Sequence, residues 1–200
     1  MDIVLCGVGG QGVLLLAEVA ARAAMEAGLD VKQSEVHGMA QRGGSVVVHL
    51  RIAPRVLSPL IRRGGADVLL ALEPLEGLRY LHFLKRGGVA LVSDCKIPPL
   101  DVLLGKAAYP DDWRERMGEV AGRVVVVPAL EIARKAGAAR AMNMAMAGAL
   151  SALLPFDRQI WEGAIRASVP PKTLEANLRA FEEGRRLVKK VLGGDVLDLG

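Results

Sequence analysis

The stretch that most constrains this chain lies at its beginning. Ile3 to Cys6 is a short apolar run, Gly7-Val8-Gly9-Gly10-Gln11-Gly12 follows at once, and Val13 to Ala27 has helical composition with polar side chains only at Glu18, Arg22 and Glu26. Those three recur every fourth residue and so form one stripe. A helix with so narrow a wet face is buried around most of its circumference, and Gly28 beyond its end suits a left-handed cap. The order is strand, glycine turn, helix. Gly7-x-Gly9-x-x-Gly12 has the dinucleotide-fingerprint spacing, in the context that its mechanism requires. Glycines there permit the tight turn and let N–H groups at the helix start approach a phosphate, which the helix dipole favours. The same turn can also serve only to pack helix against strand. Gly7, Gly9, Gly10, Gln11 and Gly12 are therefore candidate contacts to an anionic group, with the packing role as the alternative.

Downstream the pattern is again strands and helices. Asp30 to Glu35 reads as a strand, and Val46 to Ile52 alternates with period two, as a strand covered more heavily on one face. Ala66 to Leu72 is a continuous apolar run of the central parallel type, followed by Pro74 to Lys85 as a helix, Gly87-Gly88, and a strand over Val89 to Val92. Prolines 98, 99 and 110 with Asp111-Asp112 mark an irregular excursion from Lys96 to Gly118, with a short helix near Trp113. Arg123 to Val127 is the last strand. Helices are expected over Ala129 to Ala136, Ala139 to Leu154, Asp157 to Ala167 and Lys172 to Leu192. The expected fold class is α/β: a Rossmann-like, mostly parallel sheet covered by helices on both faces, with a helical C-terminal third. With no internal boundary or repeat, residues 1–200 are expected to form a single domain, a size able to bury a core without staples.

Composition narrows the chemistry. Only Cys6 and Cys95 are present, far apart and each at the end of an apolar run. An iron–sulfur cluster or structural zinc takes about four ligands, drawn largely from cysteine, so no such centre is expected on this chain alone. The formal net charge of +4 is spread along the chain, and the longest basic cluster, Arg185-Arg186 with Lys189-Lys190, interrupts apolar residues at helical spacing. It reads as a solvated face rather than a nucleic-acid patch. The chain opens directly on a strand, with no basic leader and no apolar run near eighteen residues, so a soluble cytoplasmic protein without membrane contact is expected. Met142, Met144 and Met146 alternate within an Ala/Gly-rich helix and cannot share one face. A helix so surrounded by protein, together with the nearly all-apolar first helix, points to a contact with a second copy or a partner.

The second candidate segment is Val36-His37-Gly38-Met39-Ala40-Gln41-Arg42-Gly43-Gly44-Ser45. Arg42 suits bidentate binding of a carboxylate or phosphate, Gly43-Gly44 allow close backbone approach, and Gln41 and Ser45 add polar contacts. A surface loop with turn glycines is the competing reading. Glu35 stands about where an NAD enzyme places its ribose-binding acid, yet the glycine-rich loop cannot continue as the crossover helix that such a half-site needs. Glu73 and Glu76 flank Pro74 at a helix start and read as capping residues. His49 and His82 read as structural.

The two segments, with Ser58-Pro59-Leu60-Ile61, Ala66-Asp67-Val68-Leu69-Leu70-Ala71, Glu73-Pro74-Leu75-Glu76, Tyr109-Pro110, Val169-Pro170 and Ala176-Asn177, resemble the gamma-type domain of the 2-oxoacid:ferredoxin oxidoreductases, and among them the small subunits of the indolepyruvate type. The resemblance covers essentially the whole chain. It implies a complex in which a large partner subunit carries thiamine diphosphate and ferredoxin-like iron–sulfur clusters, and in which no redox cofactor is held here. The implied reaction is oxidative decarboxylation of an aryl pyruvate, with coenzyme A taking the acyl group and electrons passing singly to ferredoxin. It names no catalytic residue on this chain; the glycine turn and Gln41 to Ser45 become candidate contacts to coenzyme A, substrate or partner. Two rival expectations remain open: a free-standing nucleotide-binding or regulatory module, and an NAD(P)-dependent oxidoreductase.

Overall fold

A computed structural model describes residues 1–37 and 43–193, and for His37 the backbone alone. Six strands form one sheet: β1 Asp2–Val8, β2 Asp30–His37, β3 Ser45–Ala53, β4 Ala66–Ala71, β5 Leu84–Ser93 and β6 Arg123–Val127, in the order β2-β3-β1-β4-β5-β6. β1, β4, β5 and β6 are mutually parallel, while β3 runs antiparallel to both β1 and β2. The sheet is thus mostly parallel, as expected, with one reversed strand inside it. Period-two alternation sorts the strand side chains. Ile3, Leu5, Val48, Leu50, Val68, Leu70, Leu91 and Val125 face one core, and Val4, Cys6, Val47, Leu69, Ala71, Ala90 and Val92 face the other.

Five helices fill the first face: α1 Val13–Glu26, and, after the shorter α2 Pro74–Tyr80, α3 Leu100–Leu103 and α4 Trp113–Gly118, the helices α5 Ala129–Lys135, α6 Met142–Ser151, α7 Arg158–Ser168 and α8 Leu174–Leu192. α2 and α4 cover the opposite face through Gly77, Trp113 and Met117. On α1 the side chains of Glu18 and Arg22 are exposed and paired 2.9 Å apart, and Gly28 takes φ 82°, as its capping role requires. No helix among the described residues is long and apolar enough to cross a membrane.

Several expectations are corrected. The helix begun at Pro74 stops at Tyr80; a 3-10 turn over Leu81–Phe83 leads into β5, which starts at Leu84 instead of Val89 because Leu84 pairs with Ala66. Gly87 and Gly88 therefore lie within a strand. A Cβ on Gly88 would stand 2.9 Å from the Asp67 carbonyl oxygen, so the glycine permits close strand approach there. All ten residues of α6 are buried within this chain, under α8, α5 and α1. That removes the ground for placing a contact with a second copy on the methionine helix. Arg185 is not part of a solvated face: it is 9% exposed and donates to the Ser151 carbonyl at 2.9 Å, and burial pulls its pKa down.

Candidate functional site

The turn after β1, the loop after β4 and the start of β3 meet at the carboxyl edge of the parallel strands, where open α/β sheets hold ligands. β1 lies between β3, which returns from the β2 side, and β4, which continues toward β6. This strand order predicts a binding crevice beside the glycine turn.

Each residue of that turn has a specific reason. Gly12 is the N-cap of α1 at φ 83°, a left-handed conformation, and a Cβ there would stand 3.0 Å from Asn143 Cγ. Asn143, 3% exposed at the start of α6, donates from Nδ2 to the Gly12 carbonyl at 3.3 Å. Gln11 closes the turn: its Oε1 accepts from Val8 N–H at 2.7 Å and its Nε2 donates to the Leu72 carbonyl at 2.9 Å, tying β1 to the end of β4. A Cβ on Gly7 would meet Gln11 Oε1 at 2.9 Å and Leu72 Cβ at 3.0 Å. Gly10, at φ 101°, is exposed with open space beside it. Among the described residues no side chain caps the first turn of α1.

The second candidate segment is brought to the first. Gly9 N–H donates to the Gly44 carbonyl at 2.7 Å and Gly43 N–H to the Gly9 carbonyl at 3.4 Å, extending the β1–β3 ladder into the turn. Gly7, Gly9, Gly10, Gln11, Gly12, Gly43, Gly44 and Ser45 therefore form one edge. Gln41 and Arg42 lie outside the described residues.

Sequence reasoning missed the acidic part of this edge. Glu73, 1% exposed, does cap α2, accepting Glu76 N–H at 2.8 Å, but its other oxygen accepts the Tyr109 hydroxyl at 2.5 Å and Ile97 N–H at 3.3 Å. Burial, then the bond to Glu73, push the Tyr109 pKa up, so the hydroxyl stays a donor. Glu76, 6% exposed, accepts from Ser45 Oγ on one oxygen and from Arg79 Nε at 3.1 Å on the other, and Ser45 Oγ also lies 3.0 Å from the Tyr80 hydroxyl. The signal for this network was two carboxylates at a strand end. Their partners Ser45 and Tyr109 are 31 and 36 positions away in sequence. Burial, with Glu76 and Glu73 adding, raises the Cys6 thiol well above its ordinary range. It is a core side chain, not a nucleophile. His49 is structural, as expected, with Nδ1 accepting Ile61 N–H at 3.0 Å.

The nicotinamide expectation loses its geometry. In a dinucleotide half-site the ribose-binding acid ends a strand adjacent to the glycine turn. Here β3 stands between β1 and β2, so exposed Glu35 is two strands from the turn, on the sheet's edge. Among the described residues no group of three or more His, Cys, Asp or Glu side chains could hold a metal ion.

Comparison with known proteins agrees with this arrangement. Residues 2–187 match the family model described as pyruvate ferredoxin/flavodoxin oxidoreductase. The chain is 46% identical over 188 residues to an indolepyruvate oxidoreductase subunit IorB of Archaeoglobus fulgidus, covering 92% of this chain and 93% of that one. It is 41% identical over 197 residues to the IorB subunit of Thermococcus kodakarensis, covering 96% and 98%. Its fold is similar, with a TM-score of 0.70 and 26% identity over 94% of this chain and 98% of the other, to the crystal structure of a keto/oxoacid ferredoxin oxidoreductase gamma subunit from Geobacter sulfurreducens. From its uncapped glycine turn to its last helix, this chain belongs to the pyruvate ferredoxin/flavodoxin oxidoreductase family, as a small subunit of the 2-oxoacid type.

Proposed function

We propose that this chain, folded as one domain in the cytoplasm, is the non-redox subunit of an oxidoreductase that converts indolepyruvate or a related aryl pyruvate, coenzyme A and oxidised ferredoxin to acyl-CoA, carbon dioxide and reduced ferredoxin. The observation that carries the reading is the similarity to indolepyruvate oxidoreductase subunits over nearly their full length. Thiamine diphosphate and iron–sulfur clusters reside on the large partner subunit and supply the carbon–carbon cleavage and electron relay. The large subunit and ferredoxin are the partners.

This chain's own groups bind and orient. The N–H groups at the start of α1, with Gly10 and Gly12, present a positive dipole end to an anionic group, for which the pyrophosphate of coenzyme A is the proposed ligand. Gln41 and Arg42, with Gly43 and Gly44, are the further proposed contacts to that group. Ser45 fixes the connection through Glu76, and Gln11 fixes the turn through Leu72. No catalytic residue is assigned to this chain.

Co-expression with the large subunit tests this. Coenzyme A-dependent reduction of ferredoxin or a viologen dye by indolepyruvate is expected only when both chains are present, and Arg42→Ala is expected to raise the KM for coenzyme A with little change in kcat. Equal activity of the large subunit alone, or no association, would refute the assignment and leave a free-standing nucleotide-binding or regulatory module. Saturable NAD(P) binding by the isolated chain would favour the nicotinamide reading instead.

A further inference from the structure

At the amino edge of the parallel strands, away from the glycine turn, the connection from β3 to β4 (residues 54–65) is held against the sheet at several points. Val56 N–H donates to Asp30 Oδ2 at 2.8 Å, Arg51 donates to the Ser58 carbonyl at 3.1 Å, Ile61 N–H donates to His49, and Gly64 N–H donates to the His82 carbonyl at 3.0 Å. Val56 and Ile61 point inward at 5% and 4% exposure, while their neighbours Leu57 and Leu60 point outward at 83% and 64%. A pinned segment that turns two leucines into water loses little backbone entropy when they are covered, and apolar display of this kind marks an interaction surface.

The unpaired charges that flank these leucines along the segment have one sign. Arg55, Arg62, Arg63 and Arg86 are exposed and form no ion pair among the described residues. The Gly64–His82 bond and the Ala66–Leu84 pairing set Arg62 and Arg63 alongside the start of β5, which carries Arg86. The acids at the ends of β1, β2 and β4 nearest this segment are already matched: Asp2 with Arg51 at 2.9 Å, Asp30 with Lys32 at 3.0 Å, and Asp67 with Lys85 at 2.5 Å. Unmatched guanidinium groups of Arg55, Arg62 and Arg63 thus flank the exposed Leu57 and Leu60 along the segment, with that of Arg86 on the neighbouring strand. Arginine rims and leucine centres suit a protein surface, whereas a nucleic-acid backbone would leave the leucines facing phosphates.

We propose that this surface docks an acidic segment of the large subunit, with Leu57 and Leu60 entering an apolar recess and Arg55, Arg62, Arg63 and Arg86 meeting carboxylates around it. The inference rests on the chain's being one subunit of a two-subunit enzyme. It places the contact at the end of the sheet opposite the glycine turn, so docking leaves the candidate coenzyme A edge open.

The test uses the co-expressed complex and two double variants of this chain, Leu57→Ser with Leu60→Ser and Arg62→Glu with Arg63→Glu. Thermal unfolding of each isolated variant subunit checks that the exposed changes leave the fold intact. Each is expected to weaken association by about tenfold or more. Association of the wild-type chains is expected to weaken as salt rises from about 50 to about 500 mM, and the charge-reversed variant to lose most of that dependence. Variants that assemble with wild-type affinity, in complexes that still reduce ferredoxin, would overturn the docking surface and leave the subunit assignment standing. Failure of the wild-type chains to associate would overturn both. Binding of a single- or double-stranded oligonucleotide that both variants abolish, with subunit affinity unchanged, would reassign the surface to nucleic acid.

Discussion

Where α6 crosses α8, two glycines let the backbones touch. A Cβ on Gly184 would overlap the Ala145 carbonyl, lying 2.8 Å from its carbon and 3.1 Å from Ala145 Cα; a Cβ on Gly148 would lie 2.8 Å from both the Phe181 carbonyl carbon and Arg185 N. Carbon atoms settle at about 3.5–4.0 Å, so Gly184→Ala must part the helices by roughly 1 Å, and no side-chain rotation can relieve a clash with backbone. A gap of that size forfeits about a quarter to a half of the dispersion energy along the contact. Overpacking typically costs about 1–3 kcal/mol, and a backbone clash belongs at or above the top of that range. Alanine returns about 1 kcal/mol of helix propensity, leaving a net loss of about 2 kcal/mol or more. For a chain of this size that lowers the thermal midpoint by roughly 4–8 °C. Gly148→Ala should behave alike, and the double variant should lose much less than the sum, because one separation relieves both overlaps. Gly118→Ala is the control, since open space surrounds its Cβ. Scanning calorimetry of the four variants decides the matter. A midpoint for Gly184→Ala within about 1 °C of wild type, or strictly additive losses in the double variant, would refute the close-packed crossing.

Tyr109→Phe removes the hydroxyl that Glu73 accepts and is expected to destabilise the fold by about 1–3 kcal/mol in urea. It should also speed proteolytic cleavage between residues 96 and 110, whose ends Glu73 ties down through Ile97 N–H and Tyr109; an unchanged cleavage rate would show that the tether is dispensable. Asp67 lies below the usual carboxylate range: burial opposes its charge, but the bonds from Lys85 and Asp2 N–H and the nearby N-terminus outweigh it. A depressed carboxylate contributes stability above its unfolded pKa of about 3.9 and loses it as pH falls through the folded value. Asp67→Asn should therefore be less stable than wild type near neutral pH and show a shallower decline in urea midpoint below about pH 4. Parallel pH profiles for the two proteins would contradict this.

How far the fold could be read from sequence differed from place to place, for physical reasons. Arg123 to Val127 emerged with its observed bounds because an unbroken run of valines admits no competing period. The helix from Pro74 was read too long because Leu75, Leu78, Leu81 and Leu84 keep helical spacing, while the event that ends it, pairing of Leu84 with Ala66, is not local. Nothing near Ser45 announces that its strand enters the sheet between β1 and β2 in reverse, since side-chain alternation is indifferent to strand direction. Glu73 was legible as a cap, but not as the anchor of Tyr109, because a carboxylate has two oxygens and local pattern assigns only one. Arg185 belonged by spacing to the charged stripe of α8; only the close approach of α6 turns it inward.

The hydrogen bonds between Gly9 and residues 43 and 44 change what the glycine turn is. In a free-standing fingerprint these peptide groups would wait for a phosphate; here part of them is spent on a neighbouring segment of the same chain. Through Ser45 that segment is coupled to Glu76 on α2, and through Gln11 the turn is coupled to Leu72 at the foot of the same helix. This edge of the sheet is thus a closed circuit of four chain segments, joined by bonds within the chain itself. An anion bound at α1, as proposed above, would meet a surface whose entropy of assembly was already spent in folding, and a displacement imposed at one station of the circuit must be shared by the others.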